Sequence, residues 1–194
     1  VRTGDGWRER MVGLDGDNLV FVAGAQSMDP AVPNDWREAE VGSILETCPA
    51  AAAVMYEAAG RLVEQGGAAL FIDYGHTALT PGSTLQAVHQ HKKVAPFANP
   101  GGADLTAHVD FETLARIAKS REARHLGTLT QGNWLRALGI ESRADSLAKT
   151  APQYAQEIAA ARDRLIAADQ MGSLFKVMGV ASPAWPGGVG FSDD

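Results

Sequence analysis

Polar and apolar residues alternate without a fault from Asp104 to Phe111: Asp104, Thr106, His108 and Asp110 stand against Leu105, Ala107, Val109 and Phe111. Successive side chains of a strand point to opposite faces, so the alternation predicts a half-buried strand with two carboxylates, a hydroxyl and an imidazole along one side. Such a row is either the wet face of an ordinary strand or a working site. Near the start, WRERMVGL and NLVFVAG read as strands around the Asp-Gly turn signal DGDN (15–18), which predicts a β-hairpin over 1–24. Residues 25–39, dense in prolines and turn-formers, read as loop.

A helical period takes over at Pro49, with Val54, Met55, Ala58, Leu62 and Val63 on one stripe until Gly66-Gly67 stop it. ALFIDYG (69–75) comes next, an apolar run without alternation, as expected of a strand buried on both faces. It ends on Asp73, Tyr74, Gly75 and His76, and in open α/β sheets ligands lie beyond the carboxyl ends of strands. Asp73 there either fixes the adjoining loop or faces a ligand. FETLARIAK (111–119) reads as a helix capped by Asp110, RHLGTLTQ (124–131) as a strand and GNWLRALGI (132–140) as a short helix. APQYAQEIAAARDRLIAA (151–168) reads as a long helix, SLFKVMGVAS (173–182) as a final strand, and AWPGGVGFSDD (184–194) as a loose tail. The succession is α/β.

Composition narrows the function classes. A chain of 194 residues, 45% apolar, is long enough for one domain with a sizeable core, and its mean hydropathy of -0.11 describes a soluble globular protein. Lys plus Arg is 17 against 23 Asp plus Glu, a net charge of -6, and the short Lys92-Lys93 pair is no electrostatic footprint for nucleic acid. No apolar run is long enough for a membrane span, because PAAAAVMYEAAG (49–60) is interrupted by Glu57. The single Cys48 fits a reducing, cytoplasmic compartment. VRTGDGWRER lacks an initiator Met and an apolar core, so it is no signal peptide and reads like a chain entered in the middle.

Four of the five histidines lie between His76 and His108. His89 and His91 form an H-x-H pair that, on one strand, would turn both rings to one side and hold a metal, with Asp104 or Asp110 completing the shell of a metal-dependent hydrolase. Lys92 and Lys93 beside them would repel a cation, so no metal is expected. The Asp15-Gly16-Asp17 trio lacks the spaced ligands of a calcium loop. GGVGFS (187–192) and GDG (4–6) lack the strand-to-helix context of a nucleotide loop. There is no G-x-S-x-G elbow, and Cys48 has no His nearby in sequence.

ALFIDYGH (69–76), GSTLQAVHQHK (82–92), GGADLTAHVDF (101–111), TQGNWLRALGI (130–140) and MGSLFKVMGV (171–180) together resemble the MidA-like family. The resemblance implies a Rossmann-like, class I S-adenosylmethionine-dependent methyltransferase sheet, and the mitochondrial members are complex I assembly factors that methylate a protein arginine. The family's acidic-Gly-x-Gly loop and Asn-Glu-x-x-Asp-Ala-x-Pro segment are absent, while WRERMVGLDGDNLVFV is similar to the family's stretch just after the latter segment. The chain is therefore expected to be the carboxyl half of one methyltransferase-like domain, with an added hairpin (1–24) and a lobe inserted over the cleft (77–111). The main cradle for S-adenosylmethionine is expected upstream of Val1. The resemblance assigns Asp104, Thr106 and His108 to catalysis at a target arginine, since carboxylates pair with a guanidinium and an imidazole takes its proton. It assigns Asp73, Tyr74 and His76 to the protein substrate, and Asp110 mainly to capping. A non-catalytic binding or respiratory-complex assembly module is the alternative, and a homodimer is a further expected assembly. In the family sheet the fifth strand, here ALFIDYG, lies between the fourth and the seventh. Residues 69–74 are thus expected to form an open edge or to pair with a segment from elsewhere.

Overall fold

A computed structural model describes residues 1–79 and 81–191; the last residue of GGVGFS and the end of the tail lie outside the described residues. In chain order the elements are β1 (Arg2–Thr3), β2 (Gly6–Asp15), β3 (Asn18–Ser27), α1 (Pro49–Gln65), β4 (Ala68–His76), β5 (Gln86–His89), β6 (Lys92–Val94), β7 (Asp104–Thr106) and β8 (Val109–Asp110). They continue as α2 (Phe111–Ser120), β9 (Arg124–Thr130), α3 (Gln131–Ala137), α4 (Ile140–Thr150), α5 (Ala155–Ile166), α6 (Met171–Leu174) and β10 (Phe175–Ala181). They divide into two compact units, Val1–Thr47 with Thr80–Ala107, and Cys48–Leu79 with His108–Asp194.

The first unit holds two three-stranded sheets, ordered β1-β2-β3 and β6-β5-β7. Its hairpin runs to Ser27, three residues past the sequence expectation of 24, and turns at Gly16, whose φ is 59°. Glycine suits that left-handed turn position. Opposite Glu9 the register slips, Arg8 pairing with Ser27 and Arg10 with Ala23, so β3 is bulged over Gly24–Gln26. Asp29 ties the base of the hairpin. Its Oδ1 accepts the N–H of buried Trp7 at 2.8 Å, and its Oδ2 accepts the Ser27 hydroxyl at 2.8 Å. These hydrogen bonds favour the charged form and hold the carboxyl below its usual pKa. In the same unit Glu46 accepts the Thr84 N–H at 2.9 Å and the Ser83 hydroxyl at 3.0 Å.

The second unit is a mixed sheet, β8-β4-β10-β9, with β10 antiparallel to both β4 and β9. One face buries Met55 and Ala59 of α1 and Phe111, Leu114 and Ala118 of α2 against Met178 and Val180 of β10, with Phe71 of β4 packed beside them. On the other face α3 and α6 pack on β9 and β10 and leave Leu70 and Ile72 of β4 at 49% and 48% exposure. The expectation that ALFIDYG is buried on both faces is therefore corrected: α1 and α2 cover one side of it. β4 meets the parallel strand β8 only at Gly75↔Val109 and His76↔Asp110. Among the described residues, 68–74 have no strand partner on that side. The open edge expected of residues 69–74 is what the structure shows.

Three further expectations change. The row 104–110 is not one strand, because β7 ends at Thr106 and β8 begins at Val109. The chain leaves the β5 partner of one unit for the β4 partner of the other between Ala107 and His108. His89 and His91 do not share a strand either: β5 ends at His89, Gln90 and His91 turn with φ of 49° and 63°, and Lys92 opens β6 opposite His89. Among the described residues no three His, Cys, Asp or Glu side chains group to hold a metal ion. Finally, 140–150 is helical, and the expected strand from 173 is α6 until Phe175. No described helix is long and apolar enough to cross a membrane.

Candidate functional site at the end of strand β4

The carboxyl end of β4 is built from backbone contacts first. Gly75 lies so close to β8 that a Cβ there would stand 2.3 Å from the Val109 carbonyl oxygen and 2.8 Å from the Phe111 ring. Only a residue without a side chain allows that approach. One residue on, His76 pairs with Asp110, whose carboxylate accepts the Thr113 N–H at 3.0 Å and caps α2, as its position in the sequence predicts. Glu112 in the first turn of α2 accepts the Leu79 N–H at 3.0 Å, tying down the segment that leaves β4.

On this frame sit the side chains. Tyr74 packs edge-on to Phe175, ring centroids 5.6 Å apart, and lies 5.9 Å from the His108 ring at an interplanar angle of 57°. Asp73 is exposed and accepts its neighbour's Tyr74 N–H at 2.8 Å on one oxygen. Across the ladder from it stands Lys176, whose Nζ donates to the Ser173 and Leu174 carbonyls at 2.6 and 3.2 Å. Burial of that ammonium lowers its pKa. His76 has a buried Nδ1 without a hydrogen-bond partner. Along the free side of β4 runs an apolar hollow of about 380 Å³, lined by Val54, Leu70, Ile72, Val109 and Leu114 and bordered by Asp73.

Of the predicted residues, Asp73, Tyr74, His76 and His108 fall in the second unit, with Tyr74 and His108 in ring contact. Asp104 and Thr106 belong to the first, on β7 opposite Val88 and Gln86, and as alternate residues they share one face of that strand. Phe175 and Lys176 were not singled out by sequence reasoning. The available signal was Lys176 itself, a lone charge inside the apolar run LFKVMGV.

The packed Tyr74 and Phe175 rings suit a planar cation such as a guanidinium, and the His108 imidazole at their border suits proton transfer. A ribose-bearing methyl donor needs other things, a glycine-rich turn from strand into helix and a carboxylate for the hydroxyls. β4 leads into Thr77–Leu79 and not into a helix, and one Asp73 oxygen is already engaged. The exit of β4 does not form that cradle.

The chain is similar to known proteins along most of its length. Residues 1–129 match the family model described as "Putative S-adenosyl-L-methionine-dependent methyltransferase". The chain is 36% identical over 185 residues to the protein arginine methyltransferase NDUFAF7, mitochondrial, of Xenopus tropicalis, covering 92% of this chain and 42% of that protein. Against the Homo sapiens protein of the same name it is 36% identical over 182 residues, covering 90% and 40%. A Burkholderia thailandensis crystal structure with bound S-adenosyl-homocysteine superposes with a TM-score of 0.82 at 28% identity, over 98% of this chain and 51% of that one. The chain thus spans about two fifths of the curated relatives it matches and about half of the solved one.

Proposed function

The chain belongs to this family of S-adenosyl-L-methionine-dependent methyltransferases, and from that premise we propose that it supplies the acceptor side of a protein arginine methyltransferase. One observation carries the assignment: the Tyr74 ring meets His108 and Phe175 at the carboxyl end of β4, where open α/β sheets bind ligands. Bound S-adenosylmethionine supplies the methyl group, and the residues of this chain hold the acceptor. The Tyr74 ring, fixed by Phe175, gives the planar cation a face, and Asp73, on the other face of β4, offers its free oxygen to a second group of the acceptor peptide. His108 takes the proton that the methylated nitrogen loses. His76, whose Nδ1 lacks a partner, is a further contact for the acceptor peptide. Asp104 and Thr106, on one face of β7, contribute to acceptor recognition as a separate proposal. Respiratory-complex assembly, which the resemblance in the sequence implies, enters the proposal as the biological context. A cytoplasmic setting goes with the exposed, free Cys48.

The test is methyl transfer from labelled S-adenosylmethionine to arginine peptides by the full-length protein. His108→Ala is expected to lower kcat by about a hundredfold or more with KM little changed. Asp73→Asn is expected to act mainly on KM. Wild-type turnover in both variants refutes the assignment. Acceptor binding with no methyl transfer by the parent protein would favour a non-catalytic assembly module instead.

A further inference from the structure

The β2–β3 hairpin carries more apolar surface than an isolated arm needs. Val12, Leu14 and Leu19 stand on one face and Met11 and Val22 on the other, all exposed, with Leu14 at 71%. Order β1-β2-β3 makes β3 an edge strand, and from Asn18 to Met28 it has no charged residue, in a chain where 17 basic and 23 acidic residues are otherwise spread. Natural edges are blunted by charges, prolines or bulges. Here the bulge blunts Gly24–Gln26 and leaves 18–23 regular, a stretch of about 20 Å at the usual strand rise.

We propose that this arm pairs edge to edge with the same arm of a second copy of the chain, antiparallel about a two-fold axis at Val20. Two observations favour a second copy over another partner. A two-fold contact about an axis sets groups near that axis against their own copies, so a strip without charged residues brings no like-charge pairs there, whereas charged strips of this acidic chain would. The axis also makes good same-face cross-strand pairs: Val20 faces its own copy, Leu19 faces Phe21 of the second copy, and Asn18 faces its Val22. Aromatic and β-branched neighbours of this kind stabilise antiparallel ladders. The product is a continuous six-stranded sheet, in which both apolar faces of the arm extend onto their counterparts.

Sedimentation equilibrium of the full-length protein reads the assembly. The expected result is a dimer whose dissociation constant rises tenfold or more with Val20→Lys and stays near the parent value with Val20→Thr. Leu147→Lys, on the exposed surface of α4, should leave the dimer intact. Amide exchange on the unmodified protein provides a readout independent of any variant, since residues 18–23 should exchange more slowly as concentration rises. A monomer at all concentrations, a dimer indifferent to Val20→Lys, a dimer split by Leu147→Lys, or concentration-independent exchange over 18–23 overturns the proposal.

Discussion

Replacing Gly75 by Ala tests whether the end of β4 is held as tightly as its geometry implies. The added Cβ would meet the Val109 carbonyl oxygen at 2.3 Å and the Phe111 ring at 2.8 Å. Neither neighbour is a flexible side-chain tip. Phe111 is 1% exposed in the main core, and Val109 belongs to the ladder itself. Overpacking a core costs about 1–3 kcal/mol, and a backbone obstacle belongs at the upper end of that range. Moving β8 away also weakens a pairing of two residue pairs, Gly75↔Val109 and His76↔Asp110, worth about another 1 kcal/mol. The sum is roughly 3–4 kcal/mol, or a fall of about 1.5–2 M in urea midpoint at a slope near 2 kcal/mol/M. Urea unfolding monitored by circular dichroism measures it. Gly4→Ala, with open space around its Cβ and no positive φ, should stay within about 0.5 kcal/mol. Adding Phe111→Leu to Gly75→Ala should recover little, because the nearer obstacle is the carbonyl. A midpoint within about 0.3 M of the parent would show that β4 and β8 separate freely, and the argument for a fixed site would fall.

Asp110→Ala removes the cap on α2 and should cost about 1 kcal/mol in the same urea assay, while Asp110→Ser should restore most of it. Burial, and after it the charge of Lys119, lowers the pKa of His125 below its ordinary 6.5. The unfolded chain then takes up that proton first as pH falls, so stability should decline from about pH 6.5 down to the folded-state value. His125→Gln should flatten this part of a pH series of melting temperatures. Expressed by itself, the 194-residue chain should self-associate through the free side of β4, and Ile72→Lys should raise its solubility in a light-scattering assay.

Much of the second unit was legible because its signals are local. Pro49 and Gly66 bracket α1, and Asp110 announces α2 three residues before the N–H it accepts. The opening row was legible only as alternation, and alternation cannot say which neighbour a strand will choose. Its pattern continues through Ala107 and His108 although the pairing partner changes from β5 to β4 between them. The histidine pair misled for a related reason. Gln90 and His91 adopt left-handed backbone angles with no glycine or asparagine to mark a turn. Leu70 and Ile72 misled because an apolar run shows what a strand can bury, and cover on its second face depends on elements distant in sequence. The convergence of Tyr74, His108 and Phe175 was out of reach for the same reason, since it requires the antiparallel register of β10.

The position of β10 sets a schedule for synthesis. It supplies the middle of the sheet in the second unit, yet it comes after every other strand of that sheet in the chain. As the polypeptide leaves the ribosome, β4 and β9 emerge with no common partner, and about fifty residues separate Thr130 from the pairing that joins them. During that interval Phe71 and Leu129 must wait without the backbone ladder that will order them. Contacts this distant in sequence form late and slow the search for the native state. A pause in translation after α5 would prolong the vulnerable interval, and it is at that stage that a holding chaperone has most to protect.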